Sequence, residues 1–156
     1  MMHKEQLTKK VAEVYNWLDM QNKNNTSETE QCNACGACCN FAEFDHRLFV
    51  TTPELIYLNA KIGAELKPMR TSVCPYNING KCSIHENRFA GCRIFFCKGN
   101  AEFQSKLSET VVKKFKAICT ELQIPYRYVE LSAALNERPS NIYRSDAEHP
   151  PAAHAD

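Results

Sequence analysis

Apolar residues recur at helical spacing in two long stretches of this chain. Over residues 4–20, Leu7, Val11, Val14 and Leu18 fall three or four positions apart. That spacing predicts an amphipathic helix with one buried stripe. Over residues 100–122 the same pattern is stronger, with Phe103, Leu107, Val111, Phe115, Ile118 and Leu122 on one face. Asn100 suits the N-cap, because its side chain can accept from a first-turn N–H, and Pro125 lies just past the end. A further helix is predicted to start within Thr51-Thr52-Pro53-Glu54. Thr52 as N-cap with Pro53 at the first helical position fits one register; Thr51 with Glu54 closing a capping box fits the other. Leu55, Leu58, Ile62 and Leu66 would form its inner face. A shorter helix is expected from Pro125 to Asn136.

The intervening stretches read differently. Residues 21–31, QNKNNTSETEQ, contain no apolar residue and read as a linker. Arg47-Leu48-Phe49-Val50 suggests a short extended piece, and 84–98 a single helical turn inside a loop. Beyond Pro139 the chain is polar and rich in Pro and Ala, the composition of a flexible tail. The expected organisation is one domain over 1–138 and a C-terminal tail over 139–156, with no internal repeat.

Charge and length narrow the function classes. The chain has 156 residues, 19 Lys+Arg and 18 Asp+Glu, for a formal net charge of +1. That balance argues against a strongly basic nucleic-acid binder, so no nucleic acid is expected as partner. Lys113, Lys114 and Lys116 form the one basic cluster and read as the solvated side of their helix. No run approaches the roughly 18 apolar residues of a membrane span, so no membrane is expected. The N-terminus, MMHKEQLTKKVAEV, lacks the apolar stretch of a signal peptide, and a cytoplasmic location is expected. The sequence contains no Gly-rich phosphate loop, no G-x-S-x-G and no dinucleotide fingerprint. Glu54, Glu86 and Glu130 show no paired geometry readable from sequence. Whether the chain is an enzyme stays open.

The unusual feature is cysteine. There are nine, and eight of them lie within the 66 residues from Cys32 to Cys97. Disulfides, metal thiolates and buried apolar thiols compete to explain them. Disulfide frameworks belong to secreted domains. Cys38 and Cys39 are adjacent, and vicinal residues do not bridge each other without strain. Buried thiols occur singly, because Cys packs as a small hydrophobe; Cys119, on the stripe of the long helix, fits that description. Eight at short regular spacings point to metal.

The first cluster reads Cys32-Asn-Ala-Cys35-Gly-Ala-Cys38-Cys39. A two-residue gap lets two thiolates converge on one ion, and Gly36 eases the tight turn. The second comprises Cys74, Cys82, Cys92 and Cys97, with Asn79-Gly80 a turn signal that brings Cys74 and Cys82 together as a knuckle-like loop. Eight thiolates could complete two tetrahedral zinc sites. Alternatively, C-x2-C-x2-C with a remote Cys-Pro loosely follows bacterial [4Fe–4S] ligation by Cys32, Cys35, Cys38 and Cys74. Thiolate softness suits both metals.

The motifs CNACGACC at 32–39 and CPYNINGKCSIHENRFAGCRIFFC at 74–97 resemble the CxxCxxCC family of zinc- or iron-chelating proteins, the YkgJ-like cysteine-cluster proteins. Cys74, Pro75, Gly80, Cys82, Ile84, Arg88, Cys92, Arg93, Phe95 and Cys97 fall on that family's positions. His85, Phe89 and Phe96 depart from it, standing where Tyr, Pro and Pro are usual. The resemblance covers residues 32–97 and implies a metal or iron–sulfur site held by Cys32, Cys35, Cys38, Cys39, Cys74, Cys82, Cys92 and Cys97. It implies little about a reaction. The larger flagellin lysine N-methylases carry a similar motif.

Around those ligands, Arg88 and Arg93 flank Cys92 and could donate to the cofactor's sulfurs, offsetting thiolate charge; the alternative is ordinary surface arginines. His85 is a ring packed beside the ligands or a ninth ligand, and His46 is a weaker candidate. Phe95 and Phe96 would cover the site from water. The expected fold class is mainly α, a small helical domain organised around an irregular cysteine-rich metal-binding core. Metal binding contributes on the order of 10 kcal/mol to folding in small zinc domains, so the metal-free chain is expected to be at least partly unfolded. The leading functional expectation is a [4Fe–4S] protein with a redox or enzyme-partner role. The alternatives are a structural zinc module binding an unknown protein partner, and metal storage or delivery.

Overall fold

The computed structural model describes residues 2–24, 47–94 and 100–137. It is mainly helical, as expected. Helix α1 spans Met2–Asn24 and α2 Thr52–Ile62. The short α3 spans Ala90–Ile94, the long α4 Ala101–Leu122, and α5 Leu131–Asn136.

α1 buries Leu7, Val11, Val14 and Leu18, the stripe that its spacing predicts, and adds Tyr15 to it. It continues four residues into the expected linker, through Gln21-Asn22-Lys23-Asn24. The end is tied down rather than frayed: the Asn22 side-chain amide donates to the Arg93 carbonyl at 2.9 Å. α4 begins as anticipated, with Asn100 Oδ1 accepting from Phe103 N at 2.9 Å. At its end Gln123 adopts the left-handed conformation. The N–H of Ile124 then returns to the Cys119 carbonyl and that of Gln123 to the Thr120 carbonyl, closing a Schellman motif.

α2 takes the Thr51 register. Thr51 is the N-cap, Glu54 completes the capping box and Pro53 sits in the first turn. Gly63, at φ 64°, closes the helix, so Leu66 lies beyond the helix whose inner face it was expected to extend. Leu66 still packs, partly buried, against the core.

Two antiparallel ribbons accompany the helices. β1, Phe49–Thr51, pairs with β4, Tyr128–Glu130, with Val50 opposite Val129. The ladder is prolonged at both ends, by Leu131 N to Leu48 O at 2.8 Å and Thr52 N to Arg127 O at 3.2 Å. The helix expected from Pro125 therefore starts only at Leu131. Arg127, buried at the foot of β4, holds the Glu137 carboxylate through both guanidinium nitrogens at 2.6 and 2.7 Å. β2, Asn77–Ile78, and β3, Lys81–Cys82, form a hairpin around Asn79-Gly80. Both turn residues have positive φ, 53° and 78°, the two-residue geometry that Asn-Gly favours.

Two apolar clusters result. The first joins α1 and α4 to Ile56 and Tyr57 of α2 and Ala90 and Ile94 of α3. The second joins the ribbons, α5, and Leu55 and Leu58 on the other side of α2. Leu7, Leu18, Leu58 and Phe115 are fully buried, each stabilising the fold by roughly 1.5–3 kcal/mol relative to exposure. α2 thus serves both clusters, which is why every residue from Thr52 to Leu58 is buried.

Candidate metal centre

Three of the eight clustered cysteines fall among the described residues, and all three meet the second apolar cluster. Cys74 is buried within it, and Cys82 and Cys92 pack against it partly buried. Cys74 precedes the β2–β3 hairpin, which is tightened by Asn77 N to Cys74 O at 3.0 Å. Cys82 ends β3, opposite Asn77. Its neighbour Ser83 returns to the Tyr76 carbonyl twice, through its N–H at 2.8 Å and its hydroxyl at 2.7 Å. The Tyr76 hydroxyl accepts from Lys67 N at 3.0 Å. The knuckle-like loop read from Asn79-Gly80 is therefore a hydrogen-bonded hairpin with Cys74 and Cys82 at its base.

Cys92 sits in α3. The expected single turn over 84–98 is, in its described part, two pieces: a 3-10 turn at His85–Asn87 and α3. Gly91 brings α3 against β1; a Cβ there would collide with Leu48 Cδ1. Cys32, Cys35, Cys38, Cys39, Cys97, His46, Phe95, Phe96 and the tail over 139–156 lie outside the described residues. Among the described residues no group of three or more His, Cys, Asp or Glu side chains is arranged to hold a metal ion.

The two arginines differ sharply. Arg93 is buried and points into the helical layer. Its guanidinium donates to Asp19 at 2.9 Å, to the Glu86 carbonyl at 2.8 Å and to the Arg88 carbonyl at 3.0 Å, and lies over the Tyr15 ring. Arg88 Nη1 meets His85 Nε2 at 3.0 Å. A guanidinium can only donate, so Nε2 is the acceptor and the proton of this neutral imidazole is on Nδ1. Burial lowers the pKa of His85, and Arg88 and Arg93 lower it further. Arg88 Nε is buried and has no hydrogen-bond partner among the described residues.

Glu54 is the residue that sequence reasoning left without a role. It is 2% exposed. One oxygen accepts from Thr51 N at 2.9 Å and Thr51 Oγ1 at 3.0 Å. The other accepts from Ala90 N at 2.6 Å and the Tyr15 hydroxyl at 3.3 Å. Burial raises its pKa against the pull of these donors. Burial also holds the Tyr15 phenol well above its ordinary value, with the Glu54 charge adding to the shift. The capping-box spacing Thr51-x-x-Glu54 carried part of this signal, but nothing local announces the bond to Ala90.

Cys119 is buried on α4, as expected of a core thiol, and burial pushes its pKa up to about 11. Of the three lysines on α4, Lys113 and Lys116 are exposed and Lys114 lies 4.6 Å from the Trp17 ring centroid. No described helix is long and apolar enough to cross a membrane. Comparison with protein-family models, with curated proteins and with solved structures finds no match for this chain.

Proposed function

We propose that this chain is a cysteine-cluster metal protein of the CxxCxxCC type, holding a [4Fe–4S] cluster in a reducing, cytoplasmic setting and serving a redox or enzyme-partner role. The observation that carries the reading is that Cys74, Cys82 and Cys92, from the loop before β2, from β3 and from α3, all pack into or against one apolar cluster. These residues would act with Cys32, Cys35, Cys38, Cys39 and Cys97, whose C-x2-C spacings suit thiolate ligation.

The donor set fits such a group in one further respect. Arg88 Nε is a buried N–H donor with no partner among the described residues, and Cys92 and Cys82 lie nearby in sequence. A buried donor left unpaired costs roughly 1–3 kcal/mol, and a thiolate or cluster sulfur would offset that cost. Arg93 supports the site differently, by bracing α3. An iron–sulfur cluster, when bound, supplies one-electron transfer at a potential set by its surroundings. The chain's residues would hold its ligands at the apolar cluster that contains Tyr76, Ile84 and Phe89.

The hairpin favours a second reading. The hydrogen-bonded hairpin, with Cys74 before it and Cys82 at its end, would present two thiolates from one loop to a structural zinc. Two four-cysteine sites would then make the chain a module that binds a protein partner.

Iron, zinc and labile sulfide per chain, with an optical spectrum on protein purified without oxygen, test both readings. Iron with equimolar sulfide and broad visible absorbance supports the cluster. About two zinc per chain without colour supports the module. Neither metal, with oxidised thiols, overturns both.

A further inference from the structure

We propose, on the metal-binding reading above, that Glu54 is the positioning residue for Cys92: its buried carboxylate sets the first turn of α3 and so the backbone at Cys92 before any metal arrives. α3 has five residues, too few to hold itself by helical hydrogen bonds alone. It is instead gripped from outside at each end. At its start, Glu54 takes the Ala90 N–H at 2.6 Å, while Thr51 and Tyr15 occupy the carboxylate's remaining acceptor sites. At its end, Asn22 takes the Arg93 carbonyl and Asp19 the Arg93 guanidinium. Cys92 lies between the two grips. Every one of these holding groups belongs to α1, α2 or the cap of α2, and none is a cysteine. The ligand's position is therefore dictated by the helical layer rather than by the metal.

Glu54 is poorly placed for any other task. It is fully buried and away from solvent, and each described polar contact it makes is to the fold. A buried carboxylate whose acceptor sites are all satisfied fixes its donors in one arrangement. The donor that would otherwise have no protein acceptor here is the first N–H of the turn bearing Cys92.

The test uses the full chain loaded with zinc alone. Glu54→Leu puts a slightly bulkier apolar side chain there and removes both acceptors. Zinc transfer to a chromophoric chelator should quicken by about tenfold, the usual penalty for losing the partner that orients a ligand. Alkylation mapped on the loaded protein should rise at Cys92 and leave Cys74 and Cys82 protected. Leu7→Ala, which opens a cavity near the start of α1, far along that helix from Asp19 and Asn22, should not produce that selective exposure. Equal exposure of all three thiols in Glu54→Leu, or the same pattern in Leu7→Ala, overturns the proposal.

A second measurement needs no variant. Hydrogen exchange at the Ala90 amide of the wild-type, metal-free chain should already be slow. Exchange that slows only when zinc is added means that the metal orders the turn, and the proposal fails. Wild-type chain that takes up no zinc or iron refutes the metal-binding reading instead, and the Ala90 amide still reports whether Glu54 holds α3.

Discussion

The guanidinium of Arg93 lies 4.1 Å above the ring of Tyr15, and its Nη1 donates to Asp19 at 2.9 Å. The two contacts are unequal. Asp19 is about half exposed, and water screens such a pair to roughly 0–1 kcal/mol. The carbonyls of Glu86 and Arg88 accept from the buried Arg93 guanidinium in part-buried hydrogen bonds. Arg93→Met should therefore lower unfolding stability by about 3 kcal/mol, and Asp19→Asn by less than about 1 kcal/mol. Urea titrations of the two variants check the ranking. Equal losses would mean that the surface carboxylate, not the two carbonyls, is the partner that matters.

A Cβ on Gly91 would collide with Cδ1 of Leu48, which is 3% exposed, so Leu48 must shift toward the cavity that both residues line. Gly91→Ala should cost about 1–3 kcal/mol through overpacking. Combining it with Leu48→Ala should cost less than the sum of the two single changes, because the second substitution vacates the space the first needs. A strictly additive double variant would show that the two positions do not share that space.

Glu54 predicts a definite pH dependence. Burial raises its folded-state pKa above the ordinary glutamate value near 4.5, so the folded chain holds a proton that the unfolded chain has released. The stability associated with that proton is fully present below pH 4.5 and is lost as pH rises through the raised value. The stability of wild type relative to Glu54→Gln should fall across this acid window and level off above it. Other carboxylates are common to both proteins and cancel. A flat difference from acid to neutral pH would refute the raised value.

The two long helices were legible because their signal is local. Leu7 through Leu18 and Phe103 through Leu122 each repeat at the spacing of one helix face, and Asn100 caps where its side chain predicts. The β1–β4 ribbon was not legible as a pair, because each strand has three residues and its partner lies far along the chain. Strand pairing of that kind is decided by packing rather than propensity. Leu66 was misplaced because Gly63 ends α2 earlier than the apolar spacing suggests. Of the candidate site, the cysteines and the Asn79-Gly80 turn were visible. The inward direction of Arg93 and the bond from Ala90 to Glu54 were not, since each joins elements that are neighbours only after folding.

Cys119 and Cys92 should behave as opposites. The Cys119 thiol, pushed up to about 11 by burial, holds almost no thiolate at pH 8. It should resist iodoacetamide in the folded chain and react once denatured. Any stability from the buried neutral thiol is present below its ordinary value of 9.0 and lost as pH rises through about 11. Cys119→Ala should leave metal per chain unchanged, and Cys92→Ala should reduce it. Equal metal loss in the two variants would place Cys119 among the ligands.

Chelation should divide the molecule along its two apolar clusters. The first draws its buried side chains from α1, α2, α3 and α4 and contains none of the three clustered cysteines among the described residues. Most of the helical circular-dichroism signal should therefore survive metal removal, while amide protection falls across the β2–β3 hairpin. Loss of the helical signal together with the metal would mean that the clusters cannot stand apart.

The pairing of α1 with α4 also sets an order of events during synthesis. α1 ends at Asn24 and α4 begins at Ala101, so translation of the 76 residues between them occupies roughly 4–15 s. Throughout that interval the stripe of α1 has no α4 to cover it, and all eight clustered cysteines leave the ribosome before the covering helix is complete. The second apolar cluster, which takes Cys74, Cys82 and Cys92, is completed later still by Leu131, Ala134 and Leu135 of α5, so the nascent chain meets its metal supply, or its oxidants, before these thiols are covered.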